Sequence, residues 1–242
     1  MASQEEEDTP FPLHAAARDG RDLAVRSLIR ANPSLVSQRD EDDRTPLFWA
    51  VSAANAPIVQ LLLTESSSAG SLDIDAVDEA GWTTLHIAAS VGSLEIVDLL
   101  VHYGASLNVT TSAGQTPLHY AVSRERVDVV RRLVELYPAA TRVRDKRGQI
   151  PLHRAAAIGS IPLIRLLVRD AKGPLNVADR DGWTPLFHAS AEGRGDAALE
   201  LIRCDADTSV VDREGKTFLD VCVDDKVGRW IVDVAKREGL SL

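Results

Sequence analysis

Histidine is the residue type here whose placement most invites a chemical role, because four of the six copies hold equivalent places. His14, His86, His119 and His153 each lie three residues after the start of a recurring block. Imidazoles can ligate a metal or shuttle protons. Ligands of one ion must converge, however, and His86, His119 and His153 follow one another at intervals of 33 and 34 residues, once per block. A histidine in that place is expected to bond back to its own turn. The acidic run Asp40-Glu41-Asp42-Asp43 lacks the ligand register of a calcium loop and reads as a solvated turn tip. Gly193-Arg194-Gly195 lacks the third glycine and preceding strand of a dinucleotide fingerprint, and neither a Gly-x-Ser-x-Gly elbow nor a Walker Gly-Lys-Ser/Thr occurs. Cys204 and Cys222 have no metal-ligand spacing and read as reduced packing residues. Asn108-Val109-Thr110 matches a glycosylation sequon that has no expected use without a secretory route. The sequence therefore predicts a non-enzyme with no catalytic residue, no cofactor and no metal site.

The elements around those histidines repeat. Blocks of the form Thr-Pro-Leu-His-x-Ala start at Phe11, Thr45, Thr83, Thr116, Ile150, Thr184 and Thr217, at intervals of 34, 38, 33, 34, 34 and 33. The Thr can cap a helix whose first position, held by Pro, needs no N–H. Leu118 and Ala121 fall on one helix face, Gly20, Gly92, Gly159 and Gly193 break the helix, and stripes such as Ile58-Val59-x-Leu61-Leu62-Leu63 form a second. Asp-x-x-Gly between blocks supplies a tight turn. This pattern resembles ankyrin repeats. The expected fold is all-α, an ankyrin-repeat solenoid of seven helix-turn-helix repeats with projecting β-hairpin loops. Residues 1–10 are expected to be an acidic disordered N-terminus, and 11–242 a single ankyrin-repeat domain whose last repeat is a cap. The wider second interval predicts a flexible loop over 64–72.

Charge separates along the chain. The net charge is −9, yet residues 1–100 carry 17 acidic and 6 basic residues, whereas 124–172 carry 12 basic and 5 acidic. The overall sign argues against nucleic-acid binding, and no apolar run is long enough for a membrane helix. The acidic opening is unlike a secretory signal, so the expected location is cytoplasm and nucleus. Positions that vary between blocks are the candidate contacts: Trp49, Ile87, Tyr120 and Arg154 on the first helices, with Arg44, Trp82, Arg124 and Arg126 at their ends. Trp, Tyr and Arg are the types enriched at binding hot spots.

The segments Arg44-Thr-Pro-Leu-Phe-Trp-Ala, Ala80-Gly-Trp-Thr-Thr-Leu-His-Ile-Ala-Ala-Ser, Thr116-Pro-Leu-His-Tyr-Ala-x-Ser-Arg124 and Leu152-His-Arg-Ala-Ala-Ala, in this order, resemble the gankyrin family. These are seven-repeat chaperones of 26S proteasome regulatory-particle assembly. The likeness spans essentially residues 11–240. It implies a catalytically inert monomer whose concave face holds the C-terminal domain of the third regulatory ATPase subunit and delays its docking on the core particle. By motif, Arg44 and Arg124 match basic contacts of the family, Asp42 and Glu79 match acidic ones, and Trp49 and Trp82 add apolar area. Charge reversal at Arg44 and Arg124 is then expected to release the partner without loss of stability. The Leu-x-Cys-x-Glu segment that ties the mammalian member to the retinoblastoma protein aligns with His188–Glu192 and keeps only Glu192, so that partner is not carried over. The alternative from another class is a regulatory ankyrin scaffold that inhibits a kinase or sequesters a transcription factor.

Overall fold

Proline at the first helical position and a Thr or Ile just before it in extended conformation set the start of most first helices. Thr45, Thr116, Ile150 and Thr184 have φ between −94° and −83° and ψ between 165° and 169°, with Pro46, Pro117, Pro151 and Pro185 following. Left-handed Gly92 and Gly159 close two of these helices. The computed structural model describes residues 10–69 and 72–242. The expectation for residues 1–10 thus falls almost wholly outside the described residues.

Helix pairs recur along the chain: α1 (Pro12–Arg18) with α2 (Asp22–Ala31), α3 (Pro46–Ser52) with α4 (Ala56–Ala69), and α5 (Thr84–Val91) with α6 (Leu94–His102). These make a first compact unit that ends at Ser112. The second unit, from Ala113, holds α7 (Pro117–Ser123) with α8 (Val127–Leu136), α9 (Pro151–Ile158) with α10 (Ile161–Arg165), α11 (Pro185–Ala191) with α12 (Gly195–Arg203), and α13 (Asp225–Glu238). Within each unit first helices pack on first helices, α1 on α3 on α5 and α7 on α9 on α11. Second helices likewise pack on second helices, as α2 on α4 on α6 and α8 on α10 on α12. The small Ala positions that permit this approach, Ala50, Ala88, Ala121, Ala155 and Ala189, are fully buried beside Leu47, Leu85, Leu118, Leu152 and Leu186.

Three features depart from expectation. The stretch read as a flexible loop over 64–72 instead continues α4 as far as Ala69, where the Thr64 hydroxyl donates to the Gln60 carbonyl one turn back at 2.7 Å. The seventh repeat has no first helix, and residues 218–221 form turns. It lacks Pro at the first position, although the Asp220 carboxylate accepts both the Thr217 N–H, at 2.8 Å, and its hydroxyl, at 2.7 Å, just as His119 engages Thr116 where a helix does follow. The helix after Arg165 widens into a π-helical segment, Leu166–Asp170. The projecting loops are present as turns, and among the described residues none is in a strand. No helix among them is long and apolar enough to cross a membrane.

Candidate protein-binding face

Every turn but the one before Thr116, where Thr111 stands instead, is organised by one aspartate five residues before its block. The Oδ1 atoms of Asp40, Asp78, Asp145, Asp179 and Asp212 accept the backbone N–H groups two and four residues on, all at 2.8–3.0 Å. A left-handed residue closes the turn, Gly81, Gly148, Gly182 or Gly215, with Asp43 in that role in the first. Successive turns are stitched by single backbone bonds, Glu79 N–H to Asp42 O at 3.4 Å in the first unit and Arg180 N–H to Arg147 O at 2.9 Å in the second.

The second carboxylate oxygen of each aspartate faces the variable positions. In the first unit Asp78 Oδ2 accepts Nε and Nη2 of Arg44 at 3.2 and 3.0 Å, and Asp40 Oδ2 accepts the Trp49 indole N–H at 2.6 Å. In the second, Asp145 Oδ2 takes Gln115 at 3.2 Å and Arg154 at 3.4 Å. Asp179 Oδ2 takes Gln149 at 3.0 Å and His188 at 2.9 Å, and Asp212 Oδ2 takes the Trp183 indole at 3.2 Å. Burial opposes ionisation of Asp40, Asp145 and Asp179, but these bonds outweigh it and hold all three carboxyls below their usual range.

Sorted by this ladder, the predicted contact residues fall into two groups. Arg44, Trp49 and Arg154 are half-buried and tied to turn aspartates, so they hold neighbouring turns or helices together as well as facing outward. The Trp49 ring also carries the Arg18 guanidinium at 5.8 Å. Reversal of Arg44 therefore carries a structural cost, because the Asp78 side chain it covers is only 3% exposed. Trp82, Ile87 and Tyr120 are half-buried on the same positions of their repeats, Trp82 with its ring 6.1 Å from that of His86. Asp42, Glu79, Arg124 and Arg126 are exposed, Asp42 lying 3.9 Å from Arg44 and Arg124 capping the end of α7. Sequence reasoning missed Gln149 and Trp183 as members of the ladder; the recurring five-residue offset of Asp from the block was the available signal.

The block histidines are structural. The Nδ1 of His119 accepts the Thr116 N–H at 3.2 Å and its Nε2 lies 3.3 Å from the Gln149 carbonyl in the next repeat. His153 repeats the arrangement with Ile150 and Trp183 at 3.1 Å each. Burial lowers both pKa values to about 4, so the neutral ring serves as acceptor on one side and donor on the other. His14 reaches Arg44 O at 2.9 Å, but its buried Nδ1 lacks a partner among the described residues, since Phe11 leaves the extended conformation of the other caps. His153, Asp179 and His188 lie close enough to surround an ion. Both nitrogens of His153 are already committed to the backbone, which leaves two side chains for a ligand set that needs more.

A layered stack with a fixed frame and varied exposed positions is the design of a protein-interaction scaffold. The chain belongs to the ankyrin-repeat family, whose model of three repeat copies matches residues 2–71, 67–141 and 133–212. Among named relatives, the "Probable 26S proteasome regulatory subunit p28" of Saccharomyces cerevisiae is 42% identical over 127 residues, and an ankyrin repeat-containing protein of Schizosaccharomyces pombe is 38% identical over 221. The first match spans 52% of this chain and 55% of the yeast protein, the second 90% and 92%. The Saccharomyces cerevisiae relative supports the resemblance to the gankyrin family. Among solved structures, the ankyrin repeat domain of Bcl-3 superposes with a TM-score of 0.78 at 28% identity, covering 94% of this chain and 99% of that domain. The ankyrin repeat domain of human ASB11, at 22% identity and a TM-score of 0.77, shares the fold.

Proposed function

We propose that this protein is a non-catalytic assembly chaperone of the 26S proteasome regulatory particle, acting in the cytoplasm and nucleus. It binds the C-terminal domain of the third base ATPase subunit through the inner-helix and turn residues of its units, and its bulk sterically blocks premature docking on the core particle. The observation that carries this assignment is the 42% identity to a protein named as a proteasome regulatory subunit. Charge supports it. Exposed Asp42 and Glu79 in the first unit and Arg124 in the second offer both signs to a partner of opposite polarity. Such an interface hides roughly 800 Å² per partner, and the ladder beneath it supplies a rigid surface.

Isothermal titration with the isolated ATPase domain tests it, using Glu79→Lys and Arg124→Glu, two exposed positions outside the aspartate ladder. Each change is expected to weaken binding about tenfold with the melting temperature held. No binding by the folded parent would end the assignment. The second function, a regulatory scaffold that inhibits a kinase or sequesters a transcription factor, draws on the likeness to the Bcl-3 domain. An unbiased pull-down that returns such a partner and no proteasome subunit would favour it.

A further inference from the structure

The turn tips of the second unit frame a cleft of about 760 Å³ that none of the family-matched contact residues line. Trp183 and His188 line it from the helix side, and the tip residues 146–147, 179–181 and 212–214 from the loop side. The indole is held from three sides: its N–H is bonded to Asp212, the His188 ring meets it edge-on at 5.4 Å, and Phe187 lies at 6.2 Å. The tips are fixed as well. Arg180 N–H bonds Arg147 O and Arg213 N–H bonds Asp181 O, and a Cβ on Gly148 would meet the Arg180 nitrogen at 3.2 Å.

The exposed tips of the cleft present unpaired basic side chains. Lys146, Arg147, Arg180 and Arg213 are exposed and make no ion pair among the described residues, whereas Glu214 is matched by Lys216 at 2.8 Å. Asp179 and Asp212 are committed to their own turns and to the ladder. The lining as a whole thus carries five basic and four acidic side chains, and at its exposed tips Lys146, Arg147, Arg180 and Arg213 are left without a carboxylate partner among the described residues, with Asp181 the one acidic tip not engaged elsewhere. A guanidinium row beside a fixed aromatic face suits carboxylates interspersed with apolar side chains. A phosphate chain is the poorer match, because Asp181 and Glu214 interleave the arginines and the whole chain carries −9.

We propose that this cleft binds an acidic peptide segment of the protein partner, with its carboxylates on Arg147, Arg180 and Arg213 and an apolar side chain against Trp183. It rests on the assignment of the chain as a protein binder, and adds the site and the chemistry of the bound segment. The test is fluorescence anisotropy of the intact protein with a labelled peptide of alternating Glu and Leu, the same peptide with Gln for Glu, and a single-stranded oligothymidine. The Glu peptide is expected to bind about tenfold more tightly than either control, and Arg147→Glu/Arg180→Glu/Arg213→Glu to abolish the difference. Arg180→Ala alone, at an exposed tip, should weaken the Glu peptide several-fold and leave circular dichroism unchanged. Undiminished peptide binding by the triple variant, or tighter binding of oligothymidine, would overturn the proposal. Titrating the ATPase domain separates the two claims. Equal binding by parent and triple variant removes the cleft and keeps the chaperone assignment, whereas peptide binding with no ATPase-domain binding keeps the cleft and removes that partner.

Discussion

The two units build the same turn and decorate it with opposite charge. In the first, the tips carry Glu41, Asp42, Asp43 and Glu79; in the second, Lys146, Arg147, Arg180 and Arg213 outnumber Asp181 and Glu214. Beneath both, an aspartate Oδ1 holds two backbone N–H groups in the same geometry. What changes is the partner of Oδ2: an arginine and an indole in the first unit, glutamine, histidine, arginine and an indole in the second. In five of the turns the frame is carried by one atom of one aspartate, so the surface is free to vary in sign without disturbing the stack.

Acid should break the second unit through its neutral histidines. His119 and His153 stand at about 4 when folded against 6.5 as the reference value, so the folded form binds fewer protons. Their stabilisation is fully present above pH 6.5 and is lost as pH falls toward 4, at most roughly 3 kcal/mol for each ring. A thermal midpoint that stays flat across this window would contradict the assignment of the rings as buried, neutral links. Next in size is Asp179→Ala, which orphans two backbone N–H groups together with Gln149 and His188; a loss of about 3 kcal/mol is expected in chemical denaturation, against nearly none for Asp42→Ala at an exposed tip. Arg44→Glu should cost about 2 kcal/mol, since it sets a like charge against the buried Asp78 side chain. A neutral result there would show that the first unit does not use the ladder.

The smallest effect sharpens the contrast between turns. Asp43 has φ of 63° where the other turns place glycine, so Asp43→Gly should stabilise by about 0.5 kcal/mol. Gly81→Ala should instead destabilise by more than about 1 kcal/mol, because φ is 77° and the new Cβ would meet the Ser112 nitrogen at 2.9 Å. A loss of melting temperature with Asp43→Gly, or none with Gly81→Ala, would remove the distinction.

Much of this fold was legible because its determinants are local and repeated. The Thr-Pro start, the Leu and Ala of each first helix and the closing glycines recur at nearly constant spacing, and each acts within a single turn of chain. The errors lie where a side chain bonds against its type. Thr64-Glu-Ser-Ser-Ser reads as a loop by composition, yet the Thr64 hydroxyl bonds back to Gln60 and the helix runs on. Thr217 reads as a helix cap and Asp220 engages it as histidine does in the helical repeats, yet residues 218–221 form turns. Out of sight of the sequence was the pairing of Arg44 with Asp78, which spans 34 residues, beyond the reach of any local pattern. The ladder itself was visible only as Asp-x-x-Gly turns, because nothing in that motif says where the second oxygen points.

The central claim is that this scaffold binds the C-terminal domain of the third proteasomal ATPase subunit through exposed charges of both signs, and titration calorimetry of the intact protein against that domain tests it most directly. One-to-one binding that Glu79→Lys and Arg124→Glu each weaken about tenfold, with unchanged melting, is the predicted result. Absence of heat with the folded parent, or affinity indifferent to both changes, would contradict it.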